Sequence, residues 1–452
     1  MQCILGSCGL VAPNAQSTIL FDTRDLSLAE GTGIATYTRE LLNAARTLGF
    51  ATDALVATKS YIGRNDPLLS AIQADDIAPS FTVGDYLGRA LSWAVGRPLG
   101  MSARQIDTAL PNANCAFDGF SQFNRVFGAP HVFEVAHSHF SKYGKRLPVN
   151  LPNPPVIFHA TSPMPLRVRG SANVYTIHDL VPILFPFMTT DNKRHLLSVL
   201  REIVRTADHI VTVSEHSRAD VIRLLGVEED RITNTYQCIA DDTGWLESPD
   251  ASASVIECLE SHELEFQKYF IFVGTIEPKK NISKLVDAYS KAKCRFPLLI
   301  VGADGWLFEE DNRKMTDERF LRYHLIDGVF APRRQVRRLP YLPRTEMLQL
   351  VRGARALLFP SLYEGFGLPV LEAMQLGVPV LTSNLASLKE IAGDAALLVD
   401  PTNSADIAKG IQQLETDTEL CKALVEKGLA RALLFSPAKY QERIGSVYKA
   451  LS

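Results

Sequence analysis

A chain of 452 residues exceeds what one hydrophobic core usually holds, so two domains with a cleft between them are expected. A hydrophobic fraction of 46% beside 21% charged residues is that of an ordinary globular protein, and no uninterrupted apolar stretch reaches membrane-spanning length. The formal net charge of -3 supplies no global attraction for nucleic acid, and seven scattered cysteines without CxxC or Cys/His spacing argue against both a disulfide framework and a zinc site.

The first residues, Met1 to Cys8, lack the positive region and the full apolar region of an export signal, which points to a cytoplasmic protein. Strands are expected at Ser17 to Phe21, Val156 to His159, Asn173 to Ile177 and His209 to Val213. In the second half they fall at Tyr269 to Gly274, Pro297 to Gly302, Ala356 to Phe359 and Val378 to Thr382. Amphipathic helical stretches alternate with these runs, the pattern of two doubly wound α/β domains with parallel sheets. The segment from about 60 to 151 breaks the rhythm and reads as an insertion. Within it, Tyr86 to Arg97 reads as a helix packed on its own domain, with contact to a membrane surface as the rival reading. Composition shifts between Ser248 and Glu265, which divides the chain into domains 1–262 and 263–435. A last helix from Ser436 to Leu451 follows, with a return to the first domain as one option.

The richest motif follows the strand Ala356 to Phe359: Glu364-Gly365-Phe366-Gly367-Leu368-Pro369, then a helix from Leu368 to Gln375 carrying Glu372. Pro369 suits a first helical turn and Gly377 a helix exit, so backbone N–H groups and the positive end of the helix dipole face a strand-end loop suited to a diphosphate. Glu364 can reach sugar hydroxyls and Glu372 a ribose diol; alone, each would be an ordinary solvated carboxylate, but together with the glycines they bracket one nucleotide sugar. A second cluster, Gly274-Thr275-Ile276-Glu277-Pro278-Lys279-Lys280-Asn281, also lies between strand and helix, where Lys279 and Lys280 can neutralise a departing diphosphate. In the first half, Gly31-Thr32-Gly33 is only a partial GxGxxG, whereas the strand end His178-Asp179-Leu180 projects a histidine that can hold a sugar hydroxyl or share a proton. Asp179 braces that loop or caps the next helix; His159 and Ser214, at other strand ends, are acceptor-side candidates by position alone.

These runs resemble the family-4 retaining glycosyltransferases of the GT-B fold, specifically over Tyr269 to about Pro401, with Glu364 and Glu372 matching the Glu-x7-Glu signature. The Gly-Thr-x-Glu-Pro-Lys-Lys-Asn version is similar to mannosyltransferase-like relatives that build bacterial surface polysaccharides such as lipopolysaccharide. The resemblance implies two Rossmann-like domains facing a central cleft and donor contacts from Gly31, Gly33, Gly274, Thr275, Lys279, Lys280, Gly365, Phe366, Gly367 and Leu368. It gives Leu339, Tyr341 and Leu342 the nucleotide base, and places His178, Lys280 and Glu364 at the reacting centre. It further implies a GDP-linked mannose-like donor, a glycan or lipid-linked glycan acceptor, peripheral contact with the inner membrane face, retention of configuration and no metal cofactor; the sequence has no Asp-x-Asp to hold one. A sugar-nucleotide epimerase or phosphorylase of similar fold and a non-catalytic nucleotide-sugar-binding protein remain open alternatives.

Overall fold

The computed structural model describes residues 17–27, 33–58, 100–106, 122–190, 192–240, 250–326 and 329–452. Gly31, the N-terminal run and the segment Tyr86 to Arg97 lie outside the described residues. Among those described, two large sheets form from short apolar runs that are buried on both faces by helices, the arrangement that parallel strands require.

The first sheet has eight strands: β1 Thr18–Asp22, β2 Ala51–Thr58, β3 Arg104–Ile106, β4 Arg125–Pro130, β5 Ile157–Ala160, β6 Ala172–Ile177, β7 His209–Thr212 and β8 Ile232–Asn234, in the order β8-β7-β6-β5-β1-β2-β4-β3. All pairs are parallel except β3 with β4. The second sheet is wholly parallel: β9 Phe270–Val273, β10 Leu298–Val301, β11 Val336–Leu339, β12 Ala356–Phe359, β13 Val380–Ser383 and β14 Leu397–Val399, in the order β11-β10-β9-β12-β13-β14. Chain order reverses between β1 and β5 in one sheet and between β9 and β12 in the other. At such switch points the adjoining loops part and leave a crevice beyond the strand ends.

Six helices frame the crevice: α1 Gly33–Thr47, α2 Glu215–Leu225, α3 Ala251–Ser261, α4 Arg344–Gly353, α5 Leu368–Gln375 and α6 Pro437–Leu451. Helix α6 leaves the second sheet and packs on α1: a Cβ at Gly445 would stand 3.1 Å from Leu48, and the buried Tyr440 ring lies 6.4 Å from that of Tyr37.

Two expectations need correction. The presumed insertion contains β4, which pairs in register with β2 (Asp53 beside Arg125 through Thr58 beside Pro130), so this part of it belongs to the core sheet. Helix α3 packs against α4, with Gly353 so close to Leu259 that a Cβ there would meet its Cδ1 at 2.8 Å. The second domain therefore includes α3 and begins before the expected boundary at 263.

Candidate active site

The second switch point is built by two loops stitched together. Gly274, just past β9, has φ 150°, and its carbonyl leaves no room for a side chain at Gly302, where a Cβ would lie 2.0 Å away. The chain then makes a tight turn over Pro278–Lys280 into Asn281, whose side-chain amide donates to the Pro360 and Pro401 carbonyls at 3.0 and 2.8 Å. Leu362 N–H donates to the Lys279 carbonyl at 2.8 Å, fixing the lysine turn to the loop after β12. That loop ends at Gly367, whose φ of 112° is open to glycine at little cost, and α5 starts with proline in its first turn. The N–H groups of Gly365, Phe366, Gly367 and Leu368 donate to no acceptor among the described residues, so the helix start presents a cluster of free donors.

Glu364 and Lys280 meet at this point, Lys280 Nζ lying 2.7 Å from Glu364 Oε1 and 5.1 Å above the Phe359 ring. Burial alone would raise the Glu364 carboxyl, but Lys280 and Lys279 outweigh it and hold the pKa below its ordinary value. Lys279 is likewise charged: burial acts to lower its pKa, while Glu364, Asp179 and Glu277 together push it up. Its ammonium lies 3.3 Å from Glu277, a buried carboxyl whose own pKa burial raises.

The first switch point faces this cluster at close range. A Cβ on Gly365 would meet the His178 carbonyl at 2.5 Å, and one on Gly33 would lie 3.6 Å from Leu368. The Ser217 hydroxyl bridges the halves, 2.8 Å from the His178 carbonyl and 3.3 Å from that of Gly365. His178 Nε2 lies 2.8 Å from the Thr161 carbonyl and its ring stacks edge-on to Tyr37 at 4.8 Å. Burial lowers its pKa, so the imidazole is neutral at neutral pH. Asp179 accepts from Val181 N–H at 3.0 Å, the loop-bracing role, and also contributes to the field on Lys279. Further contacts hold the domains together: the Glu390 carboxylate accepts from the N–H groups of Glu215 and His216 at the start of α2, and Tyr363 donates to Asp220.

Other expected residues sit apart from the reacting centre. Glu372 is buried on α5 and pairs with Arg344 of α4 at 2.7 Å. Leu339 ends the edge strand β11, its carbonyl accepting from Gly302 N–H; Leu342 packs on the core and Tyr341 is exposed. Thr275 is exposed beside the lysine turn. Phe366 turns its ring inward onto Phe435, so only its backbone faces the crevice.

Two acceptor-side candidates are corrected. His159 is fully buried, its ring nitrogens engaged by Tyr448 of α6 at 2.7 Å and by Thr176 at 2.8 Å. Ser214 is the N-cap of α2, accepting from Ser217 N–H at 3.0 Å. Conversely, Arg344 and Thr161 carry no motif that would single them out, and Ser217 is merely one polar residue in a strand-end run.

A relative from Escherichia coli, "O-antigen chain mannosyltransferase B", is 35% identical over 283 residues, 62% of this chain and 70% of that protein. The family described as glycosyl transferases group 1 matches residues 259–431, and glycosyltransferase family 4 matches 31–242. The chain belongs to these glycosyltransferases. A second Escherichia coli relative, "Serotype-specific mannosyltransferase WbdA", is 29% identical over 270 residues, 58% of this chain but only 31% of its own length. Among solved structures, sucrose-phosphate synthase from Thermosynechococcus elongatus superposes with a TM-score of 0.62 at 18% identity, covering 96% of this chain and 99% of that one. The glycosyltransferase thus has the GT-B architecture, two Rossmann-like α/β domains. No helix among its described residues is long and apolar enough to cross a membrane.

Proposed function

We propose that this glycosyltransferase moves a mannosyl or closely related hexosyl unit from a GDP-linked donor to a hydroxyl of a glycan or lipid-linked glycan acceptor, with retention of configuration, in the synthesis of a surface polysaccharide. The observation that carries the reading is the Lys280–Glu364 pair, set beside free helix-start N–H groups and facing His178 across the crevice. The mannosyl preference draws on the names of the two Escherichia coli relatives.

In this scheme the donor diphosphate lies on the N–H groups of Gly365 to Leu368, and Lys279 and Lys280 turn from their carboxylate partners toward it. Glu372, oriented by Arg344, accepts from the ribose diol; Glu364 accepts from sugar hydroxyls; the strand-end segment around Leu339 to Leu342 borders the base. As the anomeric carbon–oxygen bond breaks, the electron pair goes to the β-phosphate, where the lysines and helix dipole stabilise it. The acceptor oxygen bonds to the same face of the anomeric carbon, and its proton passes to the departing phosphate oxygen. Neutral His178 aligns the donor rather than removing a proton. The charge stabilisation comes from protein groups, so the scheme needs no metal, and chelator-treated enzyme should retain its activity.

A panel of nucleotide sugars, read by thermal shift and by nucleotide release with a glycan acceptor, tests the proposal. Selective stabilisation by GDP-mannose with GDP release is expected. Equal shifts with UDP-sugars would remove the GDP preference, an isomerised donor would identify an epimerase, and binding without turnover would identify a sensor.

A further inference from the structure

Away from the crevice, the helices Val132–Tyr143 and Lys193–Thr206 enclose a cavity of about 690 Å³ in the first domain. Its lining includes Arg194, Ser198, Arg201 and Arg205, spaced so that they share one helix face, with His195 and Ser141 at the wall. Three arginines face one carboxylate there, Glu202, which is already paired with Arg205 at 2.7 Å. Arg194 and Arg201 have no ion-pair partner among the described residues. The opening turn of Lys193–Thr206 points the positive end of its dipole at the same place, with Asn192 as N-cap. His195 is held in position by a ring–ring hydrogen bond of 3.0 Å to His137, whose pKa burial lowers to about 4. Two unpaired guanidinium groups in one concavity form a fork-shaped donor array that matches a phosphate, whose oxygens accept several N–H bonds at once.

We propose that this cavity is a second ligand site, separate from the donor crevice, that binds the phosphate group of an anionic ester. That phosphate can come from a lipid headgroup or from a soluble ester, and the two sources differ in what lies beside it. Phe187, 71% exposed and five residues before Asn192, offers an apolar side chain to a lipid interface. The site stands independently of the donor assignment.

The test uses the full chain, with Arg194→Ala/Arg201→Ala as the site variant and Lys422→Ala/Lys427→Ala, which removes the same charge elsewhere, as the control. Inorganic phosphate should raise Tm in the wild type and the control but not in the site variant. Phosphatidylcholine vesicles with phosphatidylglycerol added should sediment the wild type, and the site variant should bind them roughly tenfold or more weakly. Vesicle binding further weakened by Phe187→Ser assigns the lipid source; a phosphate response without vesicle binding assigns the soluble one. If neither phosphate nor vesicles distinguishes the site variant from the control, the proposal is overturned. Stabilisation by nucleotide sugar, retained in the site variant, shows that it is folded and keeps a failure here distinct from a failure of the donor reading.

Discussion

The two switch points share a topology and differ in chemistry. Beyond β9 and β12 the polar groups are charged and paired: Lys280 with Glu364, Lys279 with Glu277, and nearby Arg344 with Glu372. Beyond β1 and β5 the second sheet meets a neutral histidine, the Ser217 hydroxyl and a glycine at the start of α1. Strand order decides where a crevice opens; side-chain charge decides what each wall can do. A wall of paired ions can exchange partners with a diphosphate at little extra desolvation cost, whereas a neutral wall suits an uncharged sugar and its hydroxyls.

Substitutions on the charged wall should break this contrast most severely. Glu364→Gln is expected to lower kcat/KM by about 10²–10³, the usual loss when one preorganised electrostatic group is removed. Lys280→Ala leaves the buried Glu364 carboxylate without its nearest partner and should also destabilise the donor-free fold by about 3–5 kcal/mol, read by urea unfolding.

On the neutral wall, His178→Ala should cost about 10²-fold in kcat, with His178→Gln recovering part of it. Because burial depresses the pKa of His178, the rate should show no acid limb within the ordinary histidine range. Gly365→Ala puts a methyl against the His178 carbonyl and should lower kcat by a comparable factor without changing the unfolding midpoint of either domain alone.

Buried histidines also give the fold a pH dependence. His159 falls from 6.5 to about 3 on folding. The unfolded chain therefore takes up a proton below pH 6.5 that the folded one refuses, and stability present above that value is lost progressively toward pH 3. By pH 5 this should cost about 2 kcal/mol. Asp22, raised by burial to about 6, opposes part of the loss between pH 6 and its ordinary value near 3.8. A His159→Gln variant should lose less Tm than the wild type between pH 7 and pH 5.

Smaller effects sharpen the comparison. Arg344→Ala should raise the donor KM by about tenfold with kcat nearly unchanged, because it orients a ribose-side carboxylate that takes no part in bond breaking. Ser214→Ala, removing the α2 cap, should lower stability by about 1 kcal/mol and leave the kinetics alone.

The charged wall was the more legible of the two in the amino-acid sequence. Strand β12 and helix α5 coincide with their expected bounds, because the proline in the first turn and the glycines around α5 are local signals. Lys280 and Glu364 sit 84 residues apart, yet both follow strands that flank one switch point, so topology alone predicts that they can meet. Strand β4 shows the opposite case: Arg-Val-Phe-Gly-Ala-Pro carries glycine and proline inside six residues, and only pairing with β2 makes it a strand. His159 misleads for a similar reason. Its strand does end near the crevice, but α6, arriving from the far end of the chain, covers its ring with Tyr448. Arg344 reaches Glu372 from a neighbouring helix, a contact that no local spacing encodes.

The most direct test of the central claim, that the charged wall holds the donor phosphates, is the dissociation constant of GDP-mannose measured by calorimetry for wild type, Lys280→Ala and the distant control Lys427→Ala. The account predicts a rise of about tenfold or more for Lys280→Ala and none for Lys427→Ala; an unchanged constant in Lys280→Ala would contradict it.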